Sequence, residues 1–352
     1  MHTLFKIIYI NARLLIAFIF TITAFTLSLT SAQATINCAG TLPSSYFKRI
    51  ENNKPFAGKL IEQADGSQQL QNLSGQIVMD NLSDAYILMD TYVLAKQHGK
   101  YGVINAAGKI IVPFEYDEIQ TEPDIATSFI VSVKSSDDAS NATKQGIINR
   151  HGDWIYKLSD AHIEHAHYDS DYDQDYFTVA KNNGLTGLLD DRGYWAIRPQ
   201  YDAINPLNAC TGEPLYLQAS LKNKTALIDQ NNDVIIPLAA NQHIEAFNAS
   251  AKPLLFLRSS AIGMSGDIQE DIVSAQIIDA NGKLILASDA PIRKLLYHQL
   301  YTYKQAGKFG IVNDKGSVIL EPQFDSYRDD ANEVWVEKNG KMQRLNTFIK
   351  LD

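Results

Sequence analysis

Between positions 162 and 175 the chain reads His162-Ile163-Glu164-His165-Ala166-His167-Tyr168-Asp169-Ser170-Asp171-Tyr172-Asp173-Gln174-Asp175, placing three of its eight histidines beside five carboxylates. Imidazole and carboxylate are the side-chain ligands of zinc and similar ions, and alternating aspartates suit calcium. His162, His165, His167, Asp169, Asp171 and Asp173 are therefore candidate metal ligands. As a calcium loop the stretch is imperfect: Gln174 stands where a sharp turn needs Gly, and Ala180 where a bidentate Glu closes the site. As a zinc site it offers His165 and His167 one residue apart, a strand spacing, but no evident fourth ligand. The plainer reading is a solvated acidic loop leading into a strand at Tyr176, with no cofactor.

Other chemistry is thinly represented. Ser260 to Gly266 (Ser-Ala-Ile-Gly-Met-Ser-Gly) resembles a nucleophile elbow only loosely, and neither cysteine has a histidine neighbour in sequence. Asp190-Asp191 and Asp329-Asp330 lie in turn-like contexts where solvation accounts for them. No glycine loop precedes a helix in the way that cradles phosphate. Catalytic residues are accordingly assigned to none, and the chain is expected not to be an enzyme. Seven strands end in a cation (Lys96, Lys134, Lys181, Lys222, Arg258, Lys304 and Lys338). Such a row either blocks edge-to-edge pairing of strands or lines a ridge for an anionic partner.

The formal net charge of −9 argues against nucleic acid or an anionic membrane surface as partner, since both select a basic footprint. Lys6 and Arg13 precede an apolar run from Leu14 to Leu29, followed by Ser31-Ala32-Gln33-Ala34. That is the form of an export signal with cleavage after Ala34, an uncleaved anchor being the alternative. The expected division is residues 1–34 as signal peptide, 35–56 as an N-terminal mature segment and 57–352 as a repeat domain. The expected location is exported, periplasmic or secreted. In an oxidising compartment Cys38 and Cys210, the only two cysteines, read as one disulfide.

What positions any of these groups is a repeated β unit. The signature Asn/Asp-x-x-Gly/Asn occurs as Asn72…Gly75, Asn105…Gly108, Asn149…Gly152, Asp190…Gly193, Asp229…Asn232, Asp279…Gly282 and Asn313…Gly316. Asn or Asp opens such a turn because its side chain accepts from the backbone two residues on. Gly or Asn closes it because that position needs positive φ. Short apolar strands enter and leave each turn, with period-two alternation at Phe129, Val131 and Val133. Proline follows in several copies and is expected to end the ladder. Helix signals are nearly absent, the segment 291–298 being the one stretch compatible with a helical turn. Residues 135–141 and 259–271 read as loops that stretch the beat, and 335–351 as a capping pair of strands.

The clean copies, Lys100-Tyr101-Gly102 through Tyr116-Asp117 and Lys308-Phe309-Gly310 through Phe324-Asp325, resemble the bacterial WG-repeat (KWG) family. Tyr101 and Phe309 replace the name-giving Trp, while Gly102 and Gly310 match its Gly. The copies between are worn: Gly187 and the Pro199 to Asp202 ending survive, and residues 223–226 have lost both aromatic and glycine. The resemblance implies a repeated β architecture and carries no catalytic residues. Tyr101, Gly102, Gly108, Gly152, Gly187, Gly193, Gly282, Phe309, Gly310 and Gly316 are read as fold determinants.

The expected fold is all-β: an array of about seven to eight antiparallel three-stranded β-meander repeats, curved or superhelical as a solenoid or propeller-like. The expected role is a non-catalytic cell-envelope protein offering a surface to a protein or glycan, with no membrane contact beyond the signal segment. A metal-binding protein or metal-dependent enzyme centred on 162–175 is the alternative. A row of exposed aromatics including Tyr194-Trp195 is what would favour glycan.

Overall fold

The computed structural model describes residues 56–349 except for short segments at 89–90, 122–126, 135–142, 170, 209–211, 249–252, 262–271, 296–298 and 331–332. Cys38, Cys210, the signal-like stretch and both long loops fall wholly or largely outside the described residues.

Strands dominate, and every pairing is antiparallel between sequence neighbours. The first sheet has six strands, five sheets spanning 118–159, 162–201, 203–240, 242–288 and 293–324 have four each, and residues 326–344 form a last one of three. The twelve-residue strand Ile77–Leu88 makes the first sheet double. Its first part pairs with Gln68–Asn72 through Met79 opposite Leu70, and its second with Tyr92–Gln97 through Tyr86 opposite Leu94.

The three-stranded unit needs correction: five of the seven sheets have four strands, and only the last has three. After the aromatic-Asp ending, the chain forms a short strand that becomes the first strand of the next sheet, as at Glu118–Gln120 and Ala203–Pro206. Proline does not end the ladder either. Pro113, Pro199, Pro237 and Pro322 lie inside Ile110–Tyr116, Trp195–Tyr201, Val234–Ala240 and Val318–Phe324, the outermost strands of their sheets. Each of these strands carries register shifts, so the missing N–H falls at an edge and beside a bulge. The helical expectation at 291–298 is also revised, since Arg293–Lys294 is a strand. Among the described residues the helical element is one 3-10 turn, Leu345–Thr347, after the last strand.

The seven signature turns share one hydrogen-bond pattern. At Asn105 the side-chain oxygen accepts the N–H groups of Ala107 and Lys109, and Gly108 N–H donates to the Asn105 carbonyl. The closing residue has positive φ throughout, from 69° at Asn232 to 94° at Gly152. These glycines also let sheets approach. A Cβ on Gly152 would lie 2.8 Å from the Ile111 carbonyl of the preceding sheet, and one on Gly193 would lie 2.9 Å from that of Ile155.

Seven hydrophobic clusters hold the stack. One joins the two halves of the first sheet, through Leu70, Leu82, Val93 and Ile104. Each of the others joins one sheet to the next: Val103 and Val112 meet Phe129 and Val131, and Ile130 and Ile147 meet Ile163 and Phe177. The series ends with Ile311 and Phe324 against Val334 and Val336. Burial on both faces explains why the middle strands are apolar runs rather than strict alternations.

Candidate functional site

The stretch expected as a loop is a hairpin. His162–Asp169 pairs with Gln174–Ala180 across a short turn, with a register shift between His165 and His167. That shift is a bulge, and it lets His165 and His167 reach different surroundings although they stand two residues apart.

His162 is exposed, its Nε2 3.0 Å from Glu164 Oε1. His165 Nε2 lies 2.9 Å from Oδ1 of Asp175, a carboxylate only 1% exposed. Oδ2 of Asp175 accepts hydrogen bonds from Ser128 Oγ at 2.9 Å and from Thr127 Oγ1, both on the preceding sheet. His167 is 5% exposed and its Nε2 has no hydrogen-bond partner. Burial pushes its imidazole down from 6.5 to about 4, against the opposing pull of Asp169. Asp169 accepts backbone N–H groups from Asp171, Tyr172 and, on the following sheet, Gly212. Asp173 accepts from Tyr168 Oη at 2.8 Å and pairs with Arg150 of the preceding sheet at 3.0 Å. Burial raises the carboxyl of nearby Asp191.

Of the six candidate ligands, His162, His165, Asp169 and Asp173 thus engage separate partners, and the His167 Nε2 has none. Among the described residues no group of three or more His, Cys, Asp or Glu side chains converges as a metal site. The hydroxyls of Thr127 and Ser128 donate to a carboxylate rather than to an imidazole. That is the reverse of the arrangement in which a histidine base activates a nucleophile. The hairpin's carboxylates Asp169, Asp173 and Asp175 contact the sheets on either side of it. Sequence reasoning found the hairpin's acids but not their partners. Thr127, Ser128, Arg150 and Gly212 lie on other sheets and carry no local signal.

The repeat-defining residues have distinct contacts. A Cβ on Gly102 would fall 2.7 Å from the Phe114 ring, and one on Gly310 2.6 Å from that of Tyr303. The ring over each glycine therefore comes from a neighbouring strand, not from the aromatic just before it. Gly187 instead admits the Ile197 carbonyl, 2.5 Å from where a Cβ would sit. Tyr101 and Phe309 lie beneath the ammonium groups of Lys96 and Lys304, at 5.2 and 5.0 Å. Lys181 similarly covers Trp195 at 5.3 Å. Lys96 and Lys304 lie near the ends of interior strands of their sheets, so these members of the cation row pack on aromatic rings rather than guarding sheet edges. Lys100 pairs with Asp117 at 2.7 Å, and Lys308 with Asp325, each seventeen residues apart.

Residues 101–122 and 309–341 match the family described as WG containing repeat. No curated protein matches the chain. Among solved structures it is similar to a eukaryotic initiation factor at 10% identity, TM-score 0.36, covering 83% of this chain and 82% of that one. It is also similar to BamB from Moraxella catarrhalis at 13% identity, TM-score 0.30, covering 81% and 89%. A putative TolB from Agrobacterium tumefaciens follows at 12% identity, TM-score 0.29, covering 61% and 84%. Overlaps this loose decide neither fold nor role.

Proposed function

We propose that this chain, which carries WG repeats, is a non-catalytic, exported protein of the cell envelope. In this reading seven to eight stacked units present a repeated surface to a protein or glycan partner. Export rests on the signal-like residues 1–34.

One observation carries the binding-surface reading. Five residues after each signature Asn or Asp stands an apolar residue, Ile77, Ile110, Trp154, Trp195, Val234, Leu284 and Val318, and all but Ile77 lie on the outermost strand of their sheet. Five of them are exposed, Ile110 by 50% and Val234 by 59%. An apolar side chain left in water once is ordinary, but one repeated at the same register position of successive units is a ladder of contacts. The open strand edge beside it supplies backbone donors and acceptors.

The test is co-sedimentation of the purified chain with isolated murein sacculi and with membrane vesicles. It is run beside a triple variant, Ile110→Lys, Val234→Lys and Leu284→Lys. Binding to one fraction that is lost in the variant, with thermal unfolding unchanged, supports the reading. Binding to neither, or equal binding by the variant, sinks it.

A further inference from the structure

Two of the six junctions between sheets, those at Asp160 and Asn241, lack a seal that the other four share. At four connections the aspartate after the exit strand seals the seam. Asp117, Asp202, Asp289 and Asp325 accept the backbone N–H of Lys134, Lys222, Ala306 and Asn339 on the next sheet, at 2.6–3.1 Å. Their own N–H groups donate to Ser132, Ser220, Lys304 and Glu337 carbonyls of that sheet. Asp160 holds the same position between the sheets of 118–159 and 162–201, and it makes neither bond. At Asp160 the seam opens into a cleft of about 430 Å³, lined by Asp160 with Lys144, Tyr156, Ser159, Lys181 and Asn182. That volume is within the range of small-molecule sites.

The lining is specific in its chemistry. Lys181 is held in place over Trp195, and the Tyr156 ring packs edge-on to Trp195 at 6.2 Å. Among the described residues neither Lys144 nor Lys181 has a carboxylate partner and the Asp160 carboxylate has no donor. Two ammonium groups call for a negative charge. A bare anion would meet the Asp160 carboxylate, which repels it. A ligand that fits both carries an anionic group together with hydroxyl donors. Ser159 and Asn182 add hydrogen-bonding groups, and Tyr156 offers an aromatic ring to an aliphatic ring face.

We propose that this cleft binds a sugar acid, the carboxylate on the lysines and ring hydroxyls on Asp160. The proposal takes up the glycan arm of the functional reading above and gives it a subsite of its own, separate from the apolar row.

The experiment is titration of the purified full chain with D-glucuronate, followed by calorimetry and by amide shifts, with glucose, sulfate and glycine as comparators. Glucuronate is expected to bind saturably and at least about tenfold more tightly than glucose, the worth of one charge-assisted hydrogen bond. Lys144→Gln and Asp160→Asn, both surface changes, should each weaken it by about the same factor while leaving circular dichroism unaltered. Sulfate binding as well as glucuronate would mean a plain anion subsite, and glycine binding a zwitterion or peptide terminus. Either result overturns the proposal, as does the absence of saturable binding or indifference to both variants. If glucuronate fails while the chain still sediments with envelope fractions through its apolar row, only the cleft assignment falls.

Discussion

Asn232 stands where six other signature turns place glycine, and it holds the same positive φ. Asparagine tolerates that region, so conformation alone does not demand glycine at these turns. Space does at some. A Cβ on Gly75 would meet nothing within 4 Å, whereas one on Gly152 would press on the Ile111 carbonyl. Gly75→Asn is therefore expected to change stability by less than about 1 kcal/mol, and Gly152→Asn to cost about 1–3 kcal/mol by overpacking. Urea midpoints of the two variants compare these directly, and equal midpoints would mean that sheet approach is not what selects glycine. His167 gives a second test at this scale. Its folded value of about 4 lies below the unfolded 6.5, so the unfolded chain takes up the proton first. Stability from this group is complete above pH 6.5 and falls as the pH drops toward 4, on the order of 3 kcal/mol in all. His165, Asp169 and Asp175 are the charged groups that act on it. His167→Gln should flatten the slope of unfolding free energy between pH 7 and 5, and an unchanged slope would place the acid sensitivity elsewhere. The turns were legible in the sequence because every bond that makes them is local. The fate of His167 was not, since it depends on a bulge and on how deeply the folded chain buries the ring.

At the scale of the strand, the number per sheet was misread for a physical reason. First strands such as Glu118–Gln120 and Arg293–Lys294 are two or three residues long, too short for alternation to show. Their presence was marked instead by the aspartate before them, which seals the seam to the next sheet. In the two clean copies that aspartate does double duty. Lys100 first, and the Lys134 backbone N–H next, lower the Asp117 carboxyl below the usual carboxylate range. The group therefore favours folding above the unfolded carboxylate pKa, and the contribution is lost as pH falls through the lowered one. The Lys100 and Asp117 side chains are 41% and 23% exposed, so screening keeps the pair weak. Lys100→Met should cost less than about 1 kcal/mol. Asp117→Ala also removes the bond across the seam and should cost about 1–2 kcal/mol. Chemical denaturation of both variants and their double mutant separates the two contributions. If Lys100→Met costs as much as Asp117→Ala, the seam bond contributes nothing.

For the array as a whole, the clusters set how stability is shared. Each of the six inter-sheet clusters contains residues of two consecutive sheets, so a defect in one should be felt first by its neighbours. Phe177 is a useful probe because it is fully buried and belongs to the cluster that joins 118–159 to 162–201. Phe177→Ala removes a ring from a closed interior and should cost about 3–5 kcal/mol. In a stack coupled only through neighbours, that loss stays local. Amide hydrogen exchange should quicken most at Ile130, Ile147, Val179 and Leu189, and least at Ile311 and Val336, which belong to the last cluster. The reasoning fails if protection drops by the same factor everywhere, because the sheets would then open as one cooperative unit. The distinction also bears on binding. A neighbour-coupled stack can loosen at the seam holding Asp160 without unfolding the units that carry Val234 and Leu284, so Phe177→Ala should weaken glucuronate while sparing sedimentation through the apolar row.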